Sequence, residues 1–158
     1  EELFALAKQR GIPFTIHAGE ADSYQGINDA ICFGAQRIGH GVRSAESNYT
    51  MKKLIAKQIP LEICVTSNFD THLYRSPEEH PVKRLLDIGI PVVIDADNRT
   101  VSNITLEQEY EMLMQRYGFT EEDLLRCNLT AALSAFLDPA EKVALCQELL
   151  QDFAKNHS

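Results

Sequence analysis

Along the 158 residues, short runs of clustered or alternating apolar positions are separated by longer stretches whose apolar residues fall three and four apart. Four runs are of the first kind: "IPFTIHAG", "QRIGHGV", "IPLEICVTSN" and "IPVVIDADN". In the first, Phe14 and Ile16 alternate with Thr15 and His17 until Gly19 halts the pattern, which predicts a short buried strand. Helical spacing covers about residues 22–33, closed by Gly34, then 45–58, and 81–88, closed by Gly89. The opening "EELFALAKQRG" is amphipathic, with a stripe of Leu3, Phe4 and Ala7 and a stop at Gly11.

Strand and helix signals therefore alternate. From His17 to His40, to Ser67, to Asp97 the steps are 23, 27 and 30 residues, near the length of one βα repeat. Such alternation predicts an α/β fold with a parallel sheet and right-handed crossovers. After the fourth run the pattern turns all-helical. Thr105–Gln108 reads as a capping box, Thr120–Asp123 opens a further helix, and Asp138-Pro139 sets a cap before a proline at the first helical position. The apolar faces of "LLRCNLTAALSAFL" and "VALCQELLQDF" are expected to cover the outside of the sheet. Four strands cannot close a barrel. The expected architecture is the second half of a (β/α)₈ TIM barrel, four parallel βα units followed by C-terminal helices. Residues 1–158 then form a single segment, and the other four strands precede Glu1.

Composition narrows the function classes. A net charge of −8 argues against nucleic acid or another polyanion as partner. Lys52-Lys53 and Lys83-Arg84 are isolated pairs that read as solvated helix faces. No apolar run is long enough to span a bilayer, so no membrane role is expected. Cys32, Cys64, Cys127 and Cys146 lie scattered without a CxxC, the usage of free thiols in a reducing compartment, so a cytoplasmic location is expected. Sequons at Asn48, Asn98, Asn103 and Asn128 come with no visible signal peptide and are read as coincidence.

Each strand run ends in polar residues that a bare sheet does not need. The first gives His17 and Glu20, the second His40 between two glycines, the third Thr66-Ser67-Asn68, and the fourth Asp95, Asp97 and Asn98. Glu62, inside the third run, is a carboxylate where burial demands a partner. Singly, each has a bland reading: a core histidine bonded to backbone, a helix cap, a loop, an exposed edge strand. Their recurrence at four successive carboxyl ends favours a catalytic rim, because that edge of a parallel barrel is where reacting groups converge. Histidine with aspartate and no neighbouring cysteine suits Zn²⁺ held by nitrogen and oxygen. His17 and Asp97 supply only two ligands, and a catalytic zinc takes at least three.

At "TIHAGE", "RIGHGV", "LEICVTSN" and "IDADN", in that order and at those separations, the sequence resembles the carboxyl-terminal half of the adenosine deaminase family. The resemblance extends through "SNITLEQEY" and "NLTAALSAFL". It implies a zinc-dependent barrel that converts adenosine or 2'-deoxyadenosine, a small-molecule purine nucleoside, to the inosine product and ammonia. Carried onto matching positions, His17 and Asp97 become metal ligands and Glu20 the proton donor to purine N1. His40 becomes the base or electrostatic orienter of the attacking water, Asn98 the contact to N7, and Gly19 a further substrate contact. Glu62 is expected to brace His40, and Ser67 joins it in the supporting shell. The family's two early zinc histidines, in an HxH, have no counterpart here, so the isolated segment is expected to be inactive without the N-terminal half of the barrel.

Three positions depart from the family pattern. Asp97-Asn98-Arg99 stands where many members carry two aspartates and a proline, Asp95 where a neutral residue is usual, and Val65 where proline is common. An extra carboxylate at Asp95 is expected to raise a neighbouring pKa. The chemistry also stands without the name: attack at C6 needs hydroxide near neutral pH, which bound zinc supplies, and N1 needs a carboxylic acid held protonated in a dry pocket. No GxGxxG, P-loop or PCxxC motif occurs to support hydride transfer, phosphate cradling or cysteine-ligated deamination. Two alternatives stay open. One is a deaminase of adenine or another 6-aminopurine derivative, with AMP disfavoured by the lack of a basic cluster. The other is a non-catalytic half-barrel module whose open sheet edges pair with a partner, a homo-oligomer included.

Overall fold

The computed structural model describes residues 2–157. Helix α1 (Glu2–Gln9) leads into β1 (Thr15–Ala18), α2 (Tyr24–Phe33), β2 (Arg37–His40), α3 (Asn48–Lys57), β3 (Leu61–Ile63), α4 (Val65–Asp70), α5 (Val82–Asp87) and β4 (Val92–Ile94). Helices α6 (Arg99–Ser102), α7 (Leu106–Tyr117), α8 (Glu121–Ser134) and α9 (Pro139–Asn156) follow. The strands pair in chain order, β1-β2-β3-β4, and every pair is parallel. His17 lies opposite Gly39, Gly39 opposite Glu62, and Glu62 opposite Val93.

Period-two alternation gives the sheet two unlike faces. Ile38, Leu61, Ile63 and Val92 point to one face and are fully buried with Ile27, Leu54, Leu85 and Leu86 of the covering helices. Each such side chain contributes roughly 1.5–3 kcal/mol by leaving water. The other face carries Thr15, His17, Arg37, Glu62 and Val93, none of them buried. Phe4 of α1 stacks on Phe14 and Phe33 at 5.3 and 5.5 Å and ties the first helix to the start of β1.

Local signals set most boundaries. Ser23 Oγ accepts the Gln25 N–H at 3.2 Å and starts α2, and Gly34 ends it in the left-handed region. Both expected capping boxes form: Thr105 with Gln108, and Thr120 with Asp123. At α9 the Glu141 carboxylate accepts the Asp138 N–H at 3.1 Å behind Pro139.

Three expectations need correction. The helix expected over 45–58 begins at Asn48, because Ser47 Oγ takes the Thr50 N–H and leaves 42–46 as a 3₁₀ turn. The run "VTSN" is not the end of a strand: β3 stops at Ile63 and Val65–Asp70 is helical. A distant carboxylate explains this, since Glu109 Oε1 of α7 accepts the Thr66 N–H at 3.0 Å and satisfies a donor of the first turn. Finally, α8 packs against β4 and buries Leu124, Cys127 and Ala132, but α9 packs on α8 and buries no residue. Val143 and Leu150 stay exposed, so α9 adds an outer layer rather than a cover for the sheet.

Candidate active site

The polar residues at the strand ends meet at one rim. One ring nitrogen each of His17 and His40 and one carboxylate oxygen of Glu20 lie within 4.8 Å of one another, and so do one ligand atom each of His40, Cys64 and Asp97. His40 belongs to both groups, so imidazole 17 and carboxylate 97 flank the same ring although they are eighty residues apart. The His17 and His40 rings sit 4.4 Å apart between centroids. Two of these residues hold unusual backbone: His40 has φ +59° and Asp97 φ +48°. Left-handed geometry at a non-glycine residue costs roughly 1–3 kcal/mol and clusters at sites that need a side chain re-aimed.

Glu20 is held from several sides. Its Oε2 lies 3.1 Å from His17 Nε2, and its Oε1 accepts from Asn68 Nδ2 at 3.0 Å. Its backbone carbonyl accepts from Arg43 Nε at 2.9 Å, and Arg43 is braced by Glu46 at 2.7 Å. The His40 pKa is pushed below the usual imidazole value, first by burial and then by His17, against the opposing pull of Glu20. A buried His40 is thereby favoured as neutral imidazole. Ser67 Oγ donates to Asp97 Oδ2 at 2.7 Å, which fixes the carboxylate. Burial pushes the Cys64 thiol far above its ordinary range, and Asp95 adds to this, so Asp95 does raise a neighbouring pKa.

One expected role is corrected. Glu62 does not touch His40: its Oε1 pairs with Arg37 Nε at 2.7 Å and its Oε2 accepts from Thr15 at 2.7 Å. Strand alternation puts Glu62 on the open face with Arg37, whereas the left-handed turn at His40 carries that ring to the rim. At His40 Nδ1 stand Asn68 Nδ2, at 3.2 Å, and Glu20 Oε1, at 3.6 Å. Gly19 uses its backbone groups within the chain: its N–H donates to Asp22 Oδ1 at 2.5 Å and its carbonyl accepts the Arg43 N–H at 3.1 Å. Its φ of +73° and the Ile27 side chain, 2.4 Å from where a Cβ would lie, explain why glycine stands there. Asn98 lies at the same rim, and its Oδ1 caps α6 by accepting the Thr100 and Val101 N–H groups at 3.1 Å.

Residues 1–152 match the family model described as adenosine deaminase. The chain belongs to the adenosine deaminase family. An adenosine deaminase of Haemophilus ducreyi is 39% identical over 153 residues, which are 97% of this chain and 44% of that protein. The chain thus spans about half the length of the curated relatives it matches. Among solved structures, an adenine deaminase from Arthrobacter aurescens superposes with TM-score 0.92 at 25% identity, over 97% of this chain and 47% of its own. The N6-methyl-AMP deaminase from Arabidopsis thaliana gives TM-score 0.83 at 25% identity, over 98% of this chain and 44% of its own. The four parallel βα units are the carboxyl-terminal half of such a barrel, and the family is one of aminohydrolases.

Two residues beside the rim, Asn68 and His80, were not assigned a role from sequence. Asn68 was visible only as part of a polar tripeptide, and His80 carried no expectation at all. Its one local signal is Pro81, which confines the preceding residue to extended backbone and so fixes where the ring projects.

Proposed function

We propose that the protein containing this segment hydrolyses the 6-amino group of adenosine and 2'-deoxyadenosine, with zinc as cofactor. The observation that carries the reading is the meeting of Glu20, His17 and Asp97 around His40 at the carboxyl rim of the parallel strands. The donor set fits a borderline divalent ion: two imidazoles and carboxylates on the rim, with Cys64 held as a neutral thiol by burial. His17 and Asp97 hold the ion together with ligands from outside these residues, and when bound it makes water nucleophilic near neutral pH.

This chain's own residues serve the remaining chemistry. The water oxygen bonds to C6 of the purine and Glu20 gives its proton to N1; of the two protons the water gives up, one restores Glu20 and the other goes to the amino group, so that the C6–N6 bond breaks and ammonia leaves with its own two protons and that third one. Glu20 Oε1 is occupied as an acceptor by Asn68, so the transferable proton belongs on Oε2. Asn98, with its Oδ1 engaged as a helix cap, has its amide Nδ2 to offer, and that donor suits a ring N7 acceptor. Asp97 stays oriented through Ser67.

The similar solved structures include an adenine deaminase and an N6-methyl-AMP deaminase, which favours a second reading: another 6-aminopurine derivative. Turnover of adenosine, 2'-deoxyadenosine, adenine and AMP by the full-length protein separates the readings. Adenosine and 2'-deoxyadenosine are expected to be the preferred pair. Indifference to both, with turnover of adenine or AMP, overturns the adenosine reading.

A further inference from the structure

Behind the rim lies a chain of hydrogen bonds among buried groups. His80, Asn68 and His40 are 5%, 0% and 4% exposed. The Val82 N–H, at the first turn of α5, points at His80 Nδ1 at 3.3 Å. Pro81 brings no N–H of its own, so the Val82 donor is the first that α5 presents. A backbone N–H is always a donor, and His80 Nδ1 is therefore an acceptor. In a neutral imidazole the proton must then sit on Nε2. His80 is neutral across the working range, since burial lowers its pKa to about 3.

The direction set at α5 propagates. His80 Nε2 lies 3.2 Å from Asn68 Oδ1, so the donor is the ring and the acceptor is the amide oxygen. The opposite amide flip would place two donors, Nε2–H and Nδ2–H, against each other. Asn68 Nδ2 is thereby turned the other way, toward Glu20 Oε1 at 3.0 Å and His40 Nδ1 at 3.2 Å. Both of its protons are used. His40 Nδ1 consequently accepts from Asn68, Glu20 Oε1 at 3.6 Å from it lying beyond hydrogen-bond distance, and its own proton is on Nε2.

We propose that His80 is a positioning residue: through Asn68 it fixes His40 as the Nε2–H tautomer and holds Glu20 Oε1 as an acceptor, so that His40 meets the reacting water as a hydrogen-bond donor rather than as a base. The catalytic consequence rests on the deaminase reading above. The tautomers rest only on the described contacts. The rings of Phe69, Tyr74 and Tyr117 pack about His80, with centroids 4.7–6.0 Å away, and hold the imidazole in place without adding a charge.

The test uses the full-length protein as isolated, labelled with ¹⁵N at histidine, with two-bond ring correlations recorded at mildly alkaline pH. His80 and His40 are both expected as Nε2–H tautomers. Nδ1–H at either residue overturns the proposal without any variant. His80→Phe keeps a ring but removes the donor, and is expected to convert His40 to a mixture of tautomers. In the metal-loaded protein it should lower kcat about fivefold, the worth of one hydrogen bond, with KM within about twofold. His80→Gln places an amide N–H near the Nε2 position and is expected to restore the single His40 tautomer and most of kcat. If His40 remains a single Nε2–H tautomer in His80→Phe, or if His80→Gln is as impaired as His80→Phe, His80 does not act in this way. The ring spectra need no turnover, so they decide the proposal even where substrate assays overturn the deaminase reading.

Discussion

Replacing Gly19 by alanine tests whether that residue serves the backbone rather than the substrate. Gly19 has φ +73°, and a Cβ added there would lie 2.4 Å from Ile27 Cδ1, 2.6 Å from Ile27 Cγ1 and 3.3 Å from the Gly41 Cα. Two costs follow. Left-handed backbone at alanine is worth about 1–2 kcal/mol, and forcing a methyl into filled core adds about 1–3 kcal/mol. Ile27 is fully buried, so its side chain has no free volume into which to retreat. Gly118 supplies the control, with φ +67° and nothing within 4 Å of its added Cβ. Gly118→Ala should therefore show the backbone cost alone. In urea unfolding of the full-length protein, Gly19→Ala is expected to lose about 2–5 kcal/mol and to exceed Gly118→Ala by about 1–3 kcal/mol. Ile27→Val removes the Cδ1 atom, and the double variant should recover part of the loss as a favourable coupling. Equal losses in Gly19→Ala and Gly118→Ala, or no coupling to Ile27, would refute the packing argument. A rise in KM with stability unchanged would return Gly19 to the role of a substrate contact.

Other measurements follow from the same geometry. His17→Ala and Asp97→Ala in the full-length protein should lose bound zinc by elemental analysis, whereas Glu20→Gln should retain it and lose about 10²-fold or more in kcat; full turnover by Glu20→Gln would remove its assignment as the acid. Acid should destabilise the fold through His80. Above its ordinary value of 6.5 both the folded and unfolded forms are neutral, and below it only the unfolded chain gains the proton until about pH 3. Between pH 6.5 and 5 this amounts to roughly 2 kcal/mol of lost stability, a decline that His80→Gln should lack when urea unfolding is repeated across pH. Glu109 acts with the opposite sign, because burial raises its carboxyl above the ordinary 4.5. Its contribution is whole below 4.5 and declines as pH rises through the folded value, so Glu109→Gln should gain on the wild type between pH 4 and 7, and a parallel pH profile would count against it.

Much of this architecture was written locally. Strand runs of β-branched and apolar residues, helix spacing, serine and threonine caps and glycine stops are each short-range signals, and they located four strands and most helices within a few residues. The polar residues at the strand ends were legible for a similar reason: parallel βα units deliver whatever follows each strand to one rim, so His17, Glu20, His40 and Asp97 were bound to meet once the alternation was correct. Tertiary structure decided what local signals do not carry. Glu109, 43 residues beyond Thr66 in the chain, turned "VTSN" from strand to α4 by capping it, against the β-branched character of Val65 and Thr66. A left-handed backbone at His40 separated that ring from Glu62, which strand parity then gave to Arg37. The link from Val82 through His80 and Asn68 to His40 depends on hydrogen-bond direction among buried groups, and direction has no period in a sequence. The sequence by itself determined which chemical groups stand at the rim, because backbone periodicity places them there. Only the packed fold decided which atoms of those groups donate, which accept and which touch, because those choices depend on partners far away in the chain.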